Sequence, residues 1–386
     1  MTGAATAPFS GSAARPSGRA GSPYRIMIVD DSAVIRGLFT RNLEADPDFA
    51  VVASVGDGQM ALNALQRHDV EIVILDIEMP VMDGLTALPK LIASKPGIRV
   101  LVASTLTMRG ATISLKALAA GAADYVTKPG SAALISAEDF RRELVGKVKA
   151  LAHSRRSARG EAQPNIHPVA DSAASNVAPV RRSGEVKLRA PGTERPDILA
   201  IGSSTGGPQA LFRLLKDVAS LSLPVLITQH MPATFTTILA EHIQRVAGRP
   251  TSEAVDGEPI VRTHIYVAPG DSHMLVETEA GERRLRLSKA PPENFCRPSV
   301  DPMLRSIAKV YGRRVLCAIL TGMGQDGLKG GEAVVGAGGT LIAQDEKTSI
   351  VWGMPGAVAM AGLCSAVLPL DELGTAIMRL SGRGKS

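Results

Sequence analysis

The chain is poor in aromatic residues and cysteines and has no long apolar run, and each of these shortages excludes a class of protein. Phe, Trp and Tyr make up only 3% of the residues, too few for the aromatic stacking surface of a single-strand nucleic-acid binder. The cysteines, Cys296, Cys317 and Cys364, are too few and too scattered for a disulfide framework or a zinc site. Because Cys317 lies within an apolar run, we expect it to be a buried, inert thiol. No apolar stretch reaches the roughly 18 residues that a membrane-spanning helix needs.

The N-terminal segment lacks a targeting signal. Residues 1–23 are rich in Ala, Gly, Ser and Pro, with scattered arginines but without the apolar core of a secretion signal. We expect this segment to be a disordered tail. Since no membrane-spanning stretch is present either, the sequence predicts a cytoplasmic protein that does not insert into membranes.

The net charge of +6 and the isoelectric point near 9.3 raise the question of nucleic-acid binding. The sequence has no helix-turn-helix with a basic recognition helix and no zinc-finger spacing. We therefore expect no nucleic-acid partner and interpret much of the basic excess as solvated residues of unfolded segments. These residues are Arg15 and Arg19 in the tail, and Arg155, Arg156, Arg159, Arg181 and Arg182 in the middle of the chain.

The sequence is rich in short apolar segments that alternate with amphipathic ones. A length of 386 residues exceeds what one core usually supports, so two domains are expected. Residues 24–151 contain five strand and five helix segments, which predicts a doubly wound, flavodoxin-like parallel sheet of five strands. Residues 152–195 show no sustained period and predict a flexible linker. The alternation resumes over 196–386 and predicts a second doubly wound α/β domain, with a β-hairpin inserted at 274–289.

Polar residues follow several strands of the first predicted domain. Asp30, Asp31 and Asp76 occupy such positions, and so do Ser104 and Lys128. Because the carboxyl ends of parallel strands meet at one edge of a sheet, we expect these side chains to converge. Three carboxylates close together repel one another unless a hard dication such as Mg²⁺ holds them. The pattern predicts Mg²⁺-dependent phosphorylation of Asp76, with Lys128 as a fixed cation beside the phosphoryl group.

A glycine-flanked serine opens the second predicted domain. Ser204 lies in a Gly-Ser-Ser-Thr-Gly run at 202–206, directly after a strand, where small residues allow a tight turn that exposes a hydroxyl. The same run is compatible with a phosphate-binding loop at a helix N-terminus. It lacks the Gly-Lys-Ser/Thr ending of a P-loop and the spacing of a dinucleotide fingerprint. On its own, the motif leaves both a nucleophile and an anion loop open.

A histidine and an aspartate supply what a serine nucleophile needs. His230 ends the next strand and is the candidate general base. Asp326 lies in a glycine-rich loop after a later strand and is the candidate group that orients the imidazole. His264 and His273 are weaker candidates for the base, and Asp271, in a Pro-Gly-Asp turn, is the rival for the acid. The order Ser, His, Asp argues against the α/β-hydrolases, in which the acid precedes the histidine.

The loop that carries Asp326 also offers backbone donors. Its glycines allow the main chain to approach a substrate closely. The Met323 N–H, together with the Thr205 N–H, is the candidate oxyanion hole. These residues predict acyl transfer at a carbonyl carbon, in a domain that follows a phosphorylation switch.

The first domain resembles the response-regulator receiver family. The motifs that carry this resemblance are Ile-Val-Asp-Asp-Ser at 28–32, Leu-Asp-Ile-Glu-Met-Pro-Val-Met-Asp-Gly at 75–84 and Tyr-Val-Thr-Lys-Pro at 125–129. The resemblance implies Asp76 as the phospho-acceptor, and Asp30 and Asp31 as the other members of the Mg²⁺ pocket. It implies Ser104 as the switch hydroxyl, with Thr105 as the alternative one position along.

The rest of the chain looks like the chemotaxis protein-glutamate methylesterase family, in which a receiver domain and a linker precede the catalytic domain. The motifs are Ile-Gly-Ser-Ser-Thr-Gly-Gly at 201–207, Gln-His-Met-Pro at 229–232, Ala-Pro-Gly-Asp at 268–271, Arg-Pro-Ser-Val-Asp at 297–301 and Leu-Thr-Gly-Met-Gly at 320–324. The resemblance implies Ser204, His230 and Asp326 as a catalytic triad, with Met323 lending its N–H. It implies hydrolysis of glutamate γ-methyl esters on methyl-accepting chemoreceptors, with release of methanol, and deamidation of particular receptor glutamines.

The resemblance also implies partners, a cofactor and a mode of control. The substrates are methyl-accepting chemotaxis receptors, and the phosphodonor is a chemotaxis sensor histidine kinase. Mg²⁺ supports phosphorylation of the receiver, and the esterase reaction uses no cofactor. The unphosphorylated receiver covers the active site, and phosphorylation of Asp76 loosens that contact. Two other functions remain as alternatives: a phospho-dependent binding module whose serine loop is vestigial or holds an anion, and a response regulator that acts on DNA.

Overall fold

The computed structural model describes residues 21–129, 137–164 and 186–382. Nearly all of the predicted tail lies outside these residues, as do Arg181 and Arg182 of the predicted linker. The described residues form two parallel sheets, each flanked by helices, and one antiparallel hairpin. The predicted fold class, two doubly wound α/β domains with an inserted β-hairpin, is confirmed.

The first sheet has five parallel strands in the order β2-β1-β3-β4-β5, which is the flavodoxin-like order. Its strands are β1 (Tyr24–Val29), β2 (Phe49–Val55), β3 (Ile72–Asp76), β4 (Arg99–Ser104) and β5 (Asp124–Thr127). Its helices are α1 (Ala33–Glu44), α2 (Gly58–Leu65), α3 (Gly84–Ser94), α4 (Met108–Ala119) and α5 (Ala137–Ala158). Helices α1 to α4 begin after residues whose side chains accept an N–H of the first turn, namely Ser32, Asp57, Asp83 and Thr107. The chain reverses its direction of strand addition between β1 and β3, so a crevice opens at the carboxyl ends of these two strands.

The second sheet has seven parallel strands in the order β14-β13-β12-β6-β7-β9-β8. The strands of this half of the chain are β6 (Ile198–Ser203), β7 (Val225–Gln229), β8 (Thr251–Glu253), β9 (Ile265–Val267), β10 (His273–Glu279), β11 (Glu282–Ser288), β12 (Val315–Ile319), β13 (Thr340–Gln344) and β14 (Ala366–Leu368). The helices are α6 (Gly207–Asp217), α7 (Ala233–Ala247), α8 (Val300–Tyr311), α9 (Leu328–Gly336), α10 (Met354–Met360) and α11 (Leu370–Leu380). Strands β10 and β11 form the predicted hairpin. Since β6 lies between β12 and β7, the loops after these three strands share one edge of the sheet.

The end of the first domain differs from the prediction. Helix α5 continues to Ala158, seven residues into the segment predicted as linker. The prediction of solvated arginines is wrong for Arg155 and Arg156, whose side chains are 4% and 2% exposed. Both bind the buried carboxylate of Glu71, at 2.9 Å from Arg155 Nη1 and 2.7 Å from Arg156 Nε. This counter-charge makes their burial possible.

The far end of the predicted linker is attached to the second domain. The Arg189 N–H donates to the Cys364 carbonyl oxygen at 3.0 Å, and the Gly192 N–H donates to Thr340 Oγ1 at 2.9 Å. Within 152–195, only residues 165–185 lie outside the described part of the chain.

The two domains contact each other through α4, which packs against α6 and α7. The Tyr125 ring, at the end of the first sheet, stacks on the Phe235 ring of α7, with centroids 4.4 Å apart and planes 11° from parallel. Gln209 of α6 donates a hydrogen bond from Nε2 to the Ala122 carbonyl oxygen. A second contact brings Met323 against the core cluster that lies under α5. The first domain therefore packs beside the loops at the carboxyl edge of the second sheet.

Candidate active site and phosphorylation site

Three aspartates converge at the carboxyl edge of the first sheet. Oxygens of Asp30, Asp31 and Asp76 lie within 4.8 Å of one another. Asp30 follows β1 and Asp76 ends β3, the two strands on either side of the crevice, and both are buried, whereas Asp31 is exposed. Lys128 follows β5, and its Nζ lies 2.7 Å from Asp30 Oδ2 and 2.8 Å from Asp76 Oδ1. The structure thus brings together four of the five predicted residues of this pocket.

The electrostatics of this cluster suit a hard cation. Burial raises the pKa of the Asp76 carboxyl, and although Lys128 lowers it, Asp30 raises it further. Burial lowers the pKa of Lys128, but hydrogen bonds to Asp30 and Asp76 raise it overall, so this side chain stays charged. One ammonium does not neutralise three carboxylates. The excess negative charge, the all-oxygen donor set and the exposed edge at Asp31 fit a Mg²⁺ ion.

The predicted switch hydroxyl lies at the end of β4 but does not bond to the carboxylates. Ser104 is buried, and its Oγ donates to the Gly110 carbonyl oxygen of α4 at 3.1 Å. Thr105, the alternative, shares a hydrogen bond with Thr107 at 3.2 Å between the two Oγ1 atoms. Ser104 therefore connects the edge of the sheet to α4, the helix that contacts the second domain.

Ser204 lies in the turn between β6 and α6. Gly206 adopts the left-handed region, with φ of 76°, which allows the chain to turn sharply into the helix. The Ser204 N–H donates to the Thr321 carbonyl oxygen at 3.0 Å, and the Ser204 carbonyl oxygen accepts from Gln229 Nε2 at 3.0 Å. These bonds attach the turn to the loop after β12 and to the last residue of β7. The Ser204 hydroxyl itself has no hydrogen-bond partner among the described residues.

His230 and Asp326 form a hydrogen-bonded pair beside this turn. His230 follows β7, and its backbone N–H donates to the Ser203 carbonyl oxygen at 3.2 Å. Its Nε2 lies 2.8 Å from Asp326 Oδ2, in the loop between β12 and α9. The strand order places β6 between β7 and β12, so the three predicted triad residues follow adjacent strands. Since Nε2 contacts the carboxylate, Nδ1 is the nitrogen left to accept a proton.

Asp326 is held by an unusually complete set of donors. It is 1% exposed, and burial alone raises the pKa of a carboxyl, but the bond from His230 and two backbone N–H groups lower the pKa of Asp326 overall. Its side chain therefore stays ionised beside the imidazole. Besides His230, the donors are Asn294 Nδ2 (2.9 Å), Ser299 Oγ (2.9 Å), Val300 N (2.6 Å), Asp301 N (3.0 Å) and Gly327 N (3.0 Å).

The rival residues are engaged elsewhere. The Asp271 carboxylate binds Arg297 and Lys289, at 3.0 Å from Arg297 Nε and 3.0 Å from Lys289 Nζ. His264 bonds through Nε2 to Ser252 Oγ at 2.9 Å. His273 is buried and bonds to the Ser299 N–H and the Pro291 carbonyl oxygen, at 3.2 and 3.1 Å. Among the three histidines considered, His230 is therefore the one that the structure joins to a buried carboxylate.

The predicted oxyanion donors lie on the two loops that flank this pair. Thr205 is buried next to Ser204, and its carbonyl oxygen accepts from Thr321 Oγ1 at 2.9 Å. Neither the Thr205 N–H nor the Met323 N–H donates to another residue that the structure describes. The Met323 side chain packs against the first domain.

The structure adds Cys296 to the site. Its Sγ lies 3.3 Å from His230 Nδ1. Asn294, two residues earlier, bridges Asp326 and Asp301 through Nδ2, at 2.9 and 3.0 Å. The only signal for either residue in the sequence is proximity to the Arg-Pro-Ser-Val-Asp motif at 297–301.

In the part of the chain that the structure describes, no helix combines the length and apolarity needed to cross a bilayer.

Comparison with family models gives two matches, CheB methylesterase over residues 199–377 and response regulator receiver domain over residues 26–138. Curated relatives match nearly the whole chain, and two of them illustrate this. A protein-glutamate methylesterase/protein-glutamine glutaminase of Azospirillum brasilense is 59% identical over 380 residues, covering 96% of each chain. A protein-glutamate methylesterase/protein-glutamine glutaminase 1 of Rhodospirillum rubrum is 57% identical over 373 residues, covering 94% of this chain and 96% of the relative.

Among solved structures, the Thermotoga maritima CheB methylesterase catalytic domain is 37% identical. It matches 48% of this chain and 100% of that chain, with a TM-score of 0.47. The family matches and the full-length curated relatives agree with the resemblance stated from the sequence motifs. The chain therefore belongs to the protein-glutamate methylesterase/protein-glutamine glutaminase family, a family of enzymes in which a receiver domain precedes a methylesterase domain.

Proposed function

We propose that this chain is a phosphorylation-activated hydrolase of methyl-accepting chemoreceptors. It removes the methyl group from glutamate γ-methyl esters and deamidates specific glutamines, with Ser204, His230 and Asp326 as its catalytic triad. The observation that carries this proposal is the 2.8 Å hydrogen bond between the part-buried His230 and the buried Asp326, beside a serine turn. The names of the full-length relatives supply the substrate class.

The geometry supports one mechanism for both reactions. Ser204 Oγ attacks the side-chain carbonyl carbon while His230 Nδ1 takes its proton, because Nε2 is occupied by Asp326. The Met323 and Thr205 N–H groups stabilise the oxyanion, and removing one such donor costs about 3 kcal/mol of transition-state stabilisation. His230 returns the proton to the leaving methanol, or to ammonia from a glutamine. Water then hydrolyses the acyl-enzyme by the same base.

The receiver controls this reaction through the contacts of α4 and α5 with the catalytic domain. A sensor histidine kinase donates the phosphoryl group to Asp76, and Lys128 holds one of its oxygens. Asp30, Asp31 and Asp76 would hold Mg²⁺, which neutralises charge on the phosphoryl oxygens when bound. The new phosphoryl group changes the hydrogen bonding of Ser104, which connects the sheet to α4. The shift of α4 weakens the packing of this helix on α6 and α7. We also propose a cytoplasmic location for the chain, as the sequence predicts.

Phosphorylation is expected to raise methanol release from methylated chemoreceptor membranes. With Mg²⁺ and acetyl phosphate, the wild-type rate should rise by about 5- to 150-fold, the range of typical coupling free energies. Asp76→Asn should keep the unstimulated rate and lose the stimulation. Asp83→Asn, at the exposed cap of α3, is the matched control and should respond like wild type.

Two outcomes would contradict parts of this proposal. Stimulation that survives Asp76→Asn would place the phosphoryl group elsewhere. No methanol release from any variant, with or without phosphodonor, would favour a binding module over an esterase.

The pH dependence of the esterase should reflect the surroundings of His230. Burial lowers the pKa of the His230 imidazole, but its contacts with Cys296 and Asp326 raise it overall to about 10. The base form is the neutral one, so its fraction increases as pH rises towards that pKa. We expect methanol release to keep increasing from pH 7 to 9, after subtraction of the rate of Ser204→Ala at each pH. A plateau near pH 7 would mean that the imidazole titrates near its ordinary value.

A further inference from the structure

The imidazole of His230 lies between a carboxylate and a thiol. Nε2 is 2.8 Å from Asp326 Oδ2, and Nδ1 is 3.3 Å from Cys296 Sγ. A thiol, an imidazole and a buried carboxylate in this order form the arrangement that activates nucleophilic cysteines. Cys296 therefore belongs to a cluster of reactive side chains, and the mechanism above does not use it.

We propose that Cys296 is a reactive thiol and a site of covalent modification by peroxides and other soft electrophiles, and that its modification stops the esterase. The loss of activity rests on the proposed function of His230 as the base, whereas the reactivity of the thiol does not.

The three cysteines of the chain have very different surroundings. Cys317 and Cys364 are buried, and burial raises the pKa of both thiols, that of Cys364 to about 12. Cys296 is only half-buried and contacts an imidazole. A nearby imidazolium stabilises a thiolate, and Asp326 in turn stabilises the imidazolium. Cys296 is therefore expected to be the reactive cysteine of the three.

The loop that carries Cys296 holds its sulfur in place. Glu293 and Cys296 exchange two backbone hydrogen bonds of 2.9 and 3.2 Å, which close a tight turn. Asn294 attaches this turn to Asp326, the residue that also orients the imidazole. The intervening Phe295 is 64% exposed and Cys296 itself is half-buried, so the turn lies at the surface. The loop therefore holds Cys296 against His230, while Cys296 remains partly exposed to solvent.

The oxidation step balances with hydrogen peroxide as the oxidant. The Cys296 proton moves to His230 Nδ1, and the thiolate sulfur attacks one peroxide oxygen. The O–O bond breaks, and the departing hydroxide takes the proton from His230 to leave as water. The sulfur loses two electrons and becomes a sulfenic acid, while the peroxide is reduced. The product occupies Nδ1, the nitrogen that must accept the proton of Ser204.

Iodoacetamide labelling of the native full-length chain tests the reactivity without reference to catalysis. The sulfur displaces iodide, and mass spectrometry of each cysteine peptide gives the rate between pH 6 and 9. Cys296 should react at least about tenfold faster than Cys317 and Cys364 at pH 7, because only thiolates react. His230→Gln should slow the labelling of Cys296 by about tenfold at this pH, with Cys317 still protected as evidence of folding.

Peroxide treatment tests whether oxidation of Cys296 stops the esterase. Brief exposure to hydrogen peroxide should abolish methanol release by the wild-type chain and leave Cys296→Ser at its own untreated rate, with a sulfenic-acid probe labelling Cys296 alone. Equal labelling of all three cysteines, or labelling of Cys296 that is unchanged in His230→Gln, would overturn the proposal. Fast, His230-dependent labelling of Cys296 without methanol release from any sample would support the reactive thiol and contradict the proposed esterase function. Methanol release with an unreactive Cys296 would support the esterase function and overturn the proposal for the thiol.

Discussion

Replacement of Ser204 by alanine is expected to lower methanol release from methylated receptor by about 10⁴- to 10⁶-fold, the range seen when a serine hydrolase loses its nucleophile. The His230–Asp326 pair then has no hydroxyl to activate, and only the oxyanion donors and substrate binding continue to act. The matched control is the preceding serine. Ser203 is buried and donates from Oγ to Gln229 Oε1 at 2.7 Å, so Ser203→Ala removes one internal hydrogen bond and leaves the rate within a few-fold. The measurement is initial methanol release under acetyl phosphate stimulation.

The structure makes this experiment a choice between two nucleophiles. The Ser204 hydroxyl has no partner among the described residues, and the free nitrogen of His230 faces Cys296 instead. Catalytic hydrogen bonds are often long or misaligned before substrate binds, so this arrangement is compatible with Ser204 as nucleophile. If Ser204→Ala kept its activity and Cys296→Ala lost it, the nucleophile would be the thiol and the proposed triad would be wrong.

The fold followed from the sequence where burial leaves a strong pattern. Strands covered by helices on both faces are continuous apolar runs, and the central strands of both sheets have this pattern. The apolar pattern did not predict β8 (Thr251–Glu253) and β14 (Ala366–Leu368), which form the two edges of the second sheet. Each has three residues, most of them only partly buried. An edge strand so short needs no apolar run, so periodicity does not reveal it.

The candidate site was predictable in so far as its residues follow parallel strands. The carboxyl ends of such strands lie at one edge of a sheet, and Ser204, His230 and Asp326 each follow a predicted strand of the second domain. Cys296 and Asn294 lie in an irregular loop between β11 and α8, where no period fixes the direction of a side chain. Their contacts with the pair depend on how that loop folds back, and spacing in the sequence does not determine this.

The buried arginines show a second reason why the sequence did not predict part of the structure. The basic run around Arg155 has the composition of a solvated linker, and the partner that changes this reading lies 84 residues earlier in the chain. Glu71 precedes β3 and has no exposed side-chain surface. Because ion pairs across such a distance leave no local pattern, composition alone assigned these residues to solvent.

Glu71 is therefore expected to be critical for the stability of the receiver domain. Burial raises the pKa of the Glu71 carboxyl, but hydrogen bonds from Arg156 and the Arg25 N–H lower it overall, so the group is charged. Arg156 binds it with two nitrogens, Nε and Nη2, both at 2.7 Å. Glu71→Ala leaves Arg156 buried without its carboxylate partner, and leaves Arg155 with Glu161 alone, at 3.1 Å from Nη1. Loss of one partner from a buried ion pair destabilises a protein by about 3–5 kcal/mol, a large share of the stability of one domain.

Asp69 provides the matched control. It is an acidic residue two positions earlier, and its side chain is 65% exposed and paired with Arg25 and Lys95. Asp69→Ala should reduce the free energy of unfolding by at most about 1 kcal/mol, as for other exposed pairs. The two domains can be followed separately in urea, since the one tryptophan, Trp352, reports on the catalytic domain and circular dichroism reports on both. Glu71→Ala should add an early transition in circular dichroism that tryptophan fluorescence does not follow. Equal, small shifts for both variants would mean that the two arginines find other partners or water, and that Glu71 does not determine where the receiver domain ends.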